Sequence, residues 1–170
     1  MAASGNVNSS DAILKAHQTR LANGTSNKSK SEDAFLYKLE LLGFDKDDII
    51  HTYIGDERYP FNCDFYIKSK DLFIEYQGHQ THGPAPFNKD NEDHLEYLVK
   101  LEDTANDISN EAKAKKAREI ISIWTNRDPY KLATAIKNKI NLVLVYPKHN
   151  VYLIKNGKMT TININDINRI

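Results

Sequence analysis

The sequence predicts an α/β domain, with a mixed β-sheet flanked by helices and a β-hairpin at the C-terminal end. Three observations predict it. An apolar helical face at Phe35, Leu36, Leu39 and Leu42 precedes two strand-like runs, 65–67 and 72–76, that are joined by the polar turn 68–71. A second set of helical stretches then leads to an unbroken aliphatic strand at 142–146 and a final pair of strands around Asn156-Gly157.

In chain order, residues 2–10 are small and polar and read as disordered. Asp11 is placed to cap a short helix with Ile13, Leu14, His17 and Leu21 at helical spacing, which Asn23-Gly24 breaks. Residues 1–30 therefore read as a flexible basic arm and residues 31–170 as the folded domain. The helix that follows matches a capping box at Ser29-x-x-Glu32 and stops at Gly43, the expected C′ glycine. Residues 49–54 alternate like a strand, 55–58 form a turn, and Tyr59 leads into the strand carrying Asp64. Beyond the 65–76 hairpin lies the loop His79-Gln-Thr-His82-Gly-Pro-Ala-Pro. Two helices are expected at 94–108 and 110–121, the second lysine-rich through Lys113, Lys115, Lys116 and Arg118, which reads first as a solvated face. Residues 120–124 read as a strand. Asp128-Pro129 offers an N-cap followed by proline at N1, opening a helix to about residue 139. The last hairpin, 151–155 and 158–164, turns through Asn156-Gly157 as a type I′ turn.

The acids within the first hairpin are what its hydrophobic setting does not explain. Side chains alternate along a strand, so Phe73, Glu75 and Gln77 share one face and Leu72, Ile74 and Tyr76 the other. A carboxylate inside so apolar a strand is costly to bury alone, and Asp64 starts the neighbouring strand. A solvated edge explains either acid by itself. Their D-x10-E-x-Q spacing on paired strands points instead to a shared hard cation, Mg²⁺ with Mn²⁺ as substitute, because Mg²⁺ takes carboxylate oxygens and keeps waters for chemistry. Glu32 reads as a reciprocal cap or as a third acid of that centre. His82, just beyond the cluster, is suited to donate a proton or bind water, whereas His79 reads as polar surface.

Composition sets the outer limits. At 170 residues, 40% hydrophobic and 27% charged, the chain suits one soluble domain. A single cysteine, Cys63, rules out an internal disulfide and any multi-cysteine zinc site. No apolar run approaches a membrane span, and residues 1–10 lack the pattern of a signal peptide, so a cytoplasmic location and no membrane partner are expected. Net charge is zero but uneven: Lys15, Arg20, Lys28 and Lys30 against Asp11 give residues 1–30 a net +3, which leaves −3 for the remainder. The arm reads either as a solvated tail or as a phosphate-backbone contact through Arg20, Lys28 and Lys30.

The order of elements, with acids on a helix and on two adjacent strands, resembles the PD-(D/E)xK restriction-endonuclease-like fold, and within it the very-short-patch-repair branch. Ser29-Lys-Ser-Glu32 resembles that branch's T-K-P-E opening, Cys63-Asp64-Phe65 its P-D-F, and residues 73–83 its strand, glycine and trailing histidine. NGT at 23–25, RYPFNCDFYI at 58–67, LFIEYQG at 72–78, THG at 81–83 and WTNRD at 124–128 look like a group of phage-encoded proteins related to homing endonucleases. The resemblance covers about residues 20–146. It implies a Mg²⁺-dependent DNA endonuclease with Glu32, Asp64 and Glu75 as its acidic centre and metal ligands, and His82 as the assisting histidine. Gln77 stands where the usual lysine would be, and Cys63 replaces the motif proline. Gln77 carries no charge and cannot act as a base, so activation of water falls to the cation and His82. A DNA-binding module without chemistry, an RNA enzyme, and a mismatch-nicking or restriction enzyme are the other readings, and specificity in so small a chain calls for a dimer or the arm.

Overall fold

The structure is a computed structural model that describes residues 30–170. The expected arm short of Lys30, the helix at 11–21, Arg20, Lys28 and the Ser29 half of the capping box lie outside the described residues.

Helix α1, Lys30–Leu41, buries Phe35 and Leu39, one turn apart, and carries Glu32 and Asp33 in its first turn, where acids complement the helix dipole. Its end is a Schellman motif. The Gly43 N–H donates to Glu40 O at 3.0 Å and the Phe44 N–H to Leu39 O at 3.2 Å, with Gly43 at φ +95°, a conformation that favours glycine.

Six strands follow: β1 Ile49–Tyr53, β2 Cys63–Ile67, β3 Leu72–Tyr76, β4 Asn141–Val145, β5 Val151–Lys155 and β6 Lys158–Ile162. They lie side by side in chain order, and every neighbouring pair is antiparallel except β3 and β4. Those two run parallel, from Leu72 opposite Asn141 to Tyr76 opposite Val145, so the sheet is mixed and its centre needs a long crossover. At the far edge, Asn156 (φ 52°) and Gly157 (φ 73°) carry the chain from β5 to β6 in the left-handed region that a tight two-residue connection requires.

The alternation of β3 sorts its residues between two cores. Leu72 and Ile74 pack with Phe35, Leu39, Phe65, Val143 and Val145 under α1 and the C-terminal 3₁₀ segment Ile164–Arg169. Phe73 packs on the opposite face with Tyr59, Leu142, Leu144 and Ala135. Glu75 shares the face of Phe73, and a cleft lined by Asp64, Glu75 and Gln77 opens there.

The crossover from β3 to β4 is carried by helices joined by loops. Helix α2, Glu92–Ala105, is capped by the Asn91 side chain, which accepts from the His94 N–H at 3.2 Å, and α3, Glu111–Ser122, by Asn110, which accepts from Lys113 at 3.1 Å. Helix α3 continues through a π-helical stretch, Ile123–Arg127, into α4, Asp128–Lys137. The expected strand at 120–124 is therefore a helix. Its β-branched run reads locally as a strand, but Ala117, Ile120 and Trp124 are buried together with Leu101 of α2, and the three-residue step from Ala117 to Ile120 keeps one face only in a helix. The π turn has a cause as well, since Pro129 has no N–H to give and its ring would collide with the Thr125 carbonyl in regular α geometry.

Asp128 is not the N-cap that the sequence suggested. The preceding residue, Arg127, is already helical (φ −65°, ψ −50°), and the Asp128 carboxylate turns to His82. The lysines of α3 are a solvated face: Ala114, Ala117 and Ile120 form its buried side, and Arg118 is taken up by Glu111 and the Ala105 carbonyl. No described helix is long and apolar enough to cross a membrane.

Candidate active site

The site forms at the C-terminal end of β3, where strand pairing ends and the chain leaves for the His82 loop. Asp64 closes the β2–β3 ladder, its Oδ2 accepting the Tyr76 backbone N–H at 2.7 Å. Burial pushes its carboxyl pKa up to about 7, the negative charge of Glu75 pushes the same way, and the Tyr76 N–H opposes both.

Glu75 is 4% exposed and is held on two sides. Its Oε1 accepts from the Tyr59 hydroxyl at 2.9 Å and forms an ion pair with the Lys131 ammonium at 2.5 Å. Burial beside Glu75 raises the Tyr59 phenol far above its ordinary value, so that hydroxyl stays a donor. Gln77, 7% exposed, continues the β3–β4 pairing through its backbone N–H to Val145 O at 2.8 Å, on the same side of the strand as Glu75.

Glu32 comes from α1 and meets His51 of β1, Oε2 to Nε2, at 3.4 Å. It lines the same cleft as Asp64, Glu75 and Gln77, and its charge is felt at Asp64. His82 enters from the loop after β3. Its Nδ1 donates to Asp128 Oδ2 at 2.7 Å, which fixes the ring proton on Nδ1 and leaves Nε2 as the lone-pair nitrogen of the neutral ring. The loop is pinned beneath this pair. Gly83 sits at φ +67°, where a Cβ would collide with the Trp124 indole, and that indole donates to Ala85 O at 2.8 Å. His79 has a local structural role: its Nδ1 accepts from the Thr81 backbone N–H at 3.4 Å and lies 3.0 Å from the Thr81 hydroxyl. Cys63 is buried, its thiol donating toward the Phe65 and Ile74 carbonyls, and burial pushes its pKa up, so it is an inert core residue.

The five expected site residues, Glu32, Asp64, Glu75, Gln77 and His82, thus line one open cleft of about 590 Å³, together with Arg127 and Lys131. Lys30 is exposed at the start of α1 and is not among the residues lining it. Three contributors escaped the sequence reading. Asp128 was assigned to a helix cap, and Tyr59 and Lys131 were given no role. The signal available for the pair on α4 was their spacing, since residues three apart share one helix face.

The donor set suits a hard divalent cation. Two carboxylates, one of them raised by burial and by the other's charge, gain from an ion between them, and Mg²⁺ is ordinarily held by one or two carboxylates with water and phosphate completing its shell. Among the described residues, no three acids, histidines or cysteines converge as a ready-made cage. Asp64 and Glu75 are the residues that would hold such an ion, with Glu32 facing them from α1. No protein-family model, curated protein or solved structure matches this chain.

Proposed function

We propose that the protein is a metal-dependent DNA endonuclease that hydrolyses phosphodiester bonds, with a restriction-endonuclease-like (PD-(D/E)xK) core of the very-short-patch-repair type and a phage-encoded, homing-endonuclease-like character. One observation carries the reading: two mutually repelling, largely buried carboxylates, Asp64 and Glu75, open onto a cleft beside a carboxylate-oriented histidine. A structural ion pair has no need of the second acid, and a solvated edge would not bury either. The succession of a helix, a three-stranded meander, a helical crossover and a parallel strand supports the same family.

In this reading Asp64 and Glu75 are the residues that would hold a Mg²⁺ ion. The ion, when bound, supplies charge neutralisation and an acidified water. Water adds across the P–O bond, its hydroxyl going to phosphorus and its proton to solvent, while the leaving oxygen takes a proton from His82. The Asp128 carboxylate holds the ring in the orientation that presents Nε2. Gln77 offers an amide to orient water or phosphate, and the half-exposed guanidinium of Arg127 stands at the rim for the backbone. The substrate is double-stranded DNA, the protein acts in the cytoplasm of its host cell, and specificity comes from a homodimer or from the arm with Arg20, Lys28 and Lys30.

Asp64→Ala is expected to abolish nicking of supercoiled plasmid in Mg²⁺ and in Mn²⁺; cleavage retained by that variant sinks the assignment. A second reading, a nuclease-fold DNA-binding module without chemistry, is favoured by one observation, that Glu75 is already ion-paired with Lys131 and hydrogen-bonded by Tyr59. Calorimetry with Mn²⁺ separates the two, because the inactive module gives no heat that depends on Asp64. Mapped cleavage of genomic, supercoiled and mismatched DNA, with an RNA control, distinguishes homing, mismatch nicking, restriction and RNA cleavage.

A further inference from the structure

Lys131 is the least expected member of the cleft. Its side chain is only 14% exposed, its stem lies by aromatic rings, with Nζ 5.7 Å from the Tyr59 centroid and 5.8 Å from that of Phe61, and its ammonium contacts Glu75 Oε1 and, at 3.4 Å, Asn62 O. An ammonium this enclosed is unusual unless a fixed anion holds it. Glu75 is that anion, and it is immobile, being set in a central strand and hydrogen-bonded by Tyr59. A divalent cation on either oxygen of Glu75 would lie across one carboxylate from that ammonium. Two positive charges repel at such close range, and of the two partners Lys131 is the one with four flexible methylenes and an open cleft before it.

We propose that Lys131 is the resident cation of the metal-free cleft: its ammonium holds the place on Glu75 that a divalent ion takes, and once displaced it binds the substrate's phosphate. The inference rests on the nuclease reading and deepens it by naming a positioning residue. It also explains how the cleft keeps buried acids without collapse before any ion arrives. The group that neutralises Glu75 in the resting protein is the one that meets the phosphate in the working one, so cation binding and substrate binding are coupled through one side chain. Helix α4 delivers this group from the same face that carries Asp128, three residues earlier, so one helix positions both the His82 partner and the Glu75 partner.

The test is Mn²⁺ calorimetry on the full chain. Lys131→Met keeps the apolar stem and removes the competing charge, so Mn²⁺ affinity is expected to rise about tenfold or more, whereas Lys131→Arg stays near wild type. In saturating Mg²⁺ the methionine variant is expected to bind inorganic phosphate about tenfold more weakly, the cost of one lost ion contact. If wild-type Mn²⁺ heats are unchanged by Asp64→Asn, the nuclease reading fails and this proposal with it. If they depend on Asp64 while Lys131→Met binds Mn²⁺ no more tightly, only the Lys131 proposal is overturned. A measurement on the unmutated protein guards against a variant that does not fold. With ¹⁵Nζ-labelled lysine, the protected Lys131 ammonium resonance must shift or vanish as Mg²⁺ saturates, and a resonance indifferent to Mg²⁺ overturns the proposal.

Discussion

Replacing Asp64 by asparagine should make the cation-free protein more stable while removing its activity. A carboxyl whose folded-state pKa is about 7 instead of the ordinary 3.8 favours folding when protonated, so its contribution is fully present below about pH 4 and is lost as the pH rises through 7. About three units at roughly 1.4 kcal/mol each set a ceiling near 4 kcal/mol, and relaxation around Asp64 brings the expected gain at pH 8 to about 1–3 kcal/mol. Asparagine is neutral at every pH and its side-chain oxygen still accepts the Tyr76 N–H that Asp64 Oδ2 holds at 2.7 Å, so the ladder end survives. Urea denaturation of both proteins in chelator at pH 5 and pH 8 provides the assay, and the difference between them cancels every group they share. Added Mn²⁺ should reverse the order at pH 8, since only the wild type gains binding free energy, about 2.7 kcal/mol at one hundred times its Kd. An Asp64→Asn protein less stable than wild type at pH 8 without metal, or a difference that does not change with pH, refutes the view that this acid is held at a cost for function.

Other consequences follow from single contacts. Asp128→Asn should lower the cleavage rate by about 10²-fold or more, because an amide can donate to Nδ1 and reverse the tautomer of His82; adding His82→Gln to it should cost little more. Tyr59→Phe leaves Glu75 with one donor fewer in a buried setting and should destabilise the fold by about 1–3 kcal/mol in thermal or urea melts, with a smaller effect once Mn²⁺ is bound. Gly83→Ala strains a left-handed residue and pushes on Trp124, so a loss of about 1 kcal/mol or more and a shift in indole fluorescence are expected, together with slower cleavage as the His82 loop moves.

Much of the framework was legible locally. The 3.6-residue spacing of Phe35 and Leu39 with Gly43 beyond them gives α1 and its Schellman end, and the alternation in 72–76 sends Leu72 and Ile74 to one core and Phe73 to the other. Helix α2 starts two residues before the expected 94 because Asn91 caps it. Residues 120–124 misled because β-branched residues favour strands only where no helix neighbour offers to bury them, and α2 offers Leu101.

By itself, the sequence determined which residues share a face: it put Glu75 and Gln77 on one side of their strand, set Asp64 beside them on the next, and turned the last two strands at Asn156-Gly157. Only the tertiary structure decided what those faces meet. The parallel pairing of β3 with β4 obliges the chain to cross over, the π turn at 123–127 sets the rotation of α4, and that rotation brings Asp128 to His82 and Lys131 to Glu75. Periodicity records how a residue is oriented within its own element, whereas a contact between elements far apart in the chain depends on how the whole core packs. Asp128 therefore looked like a cap, and Lys131 like any surface lysine, until the helix was laid against the sheet.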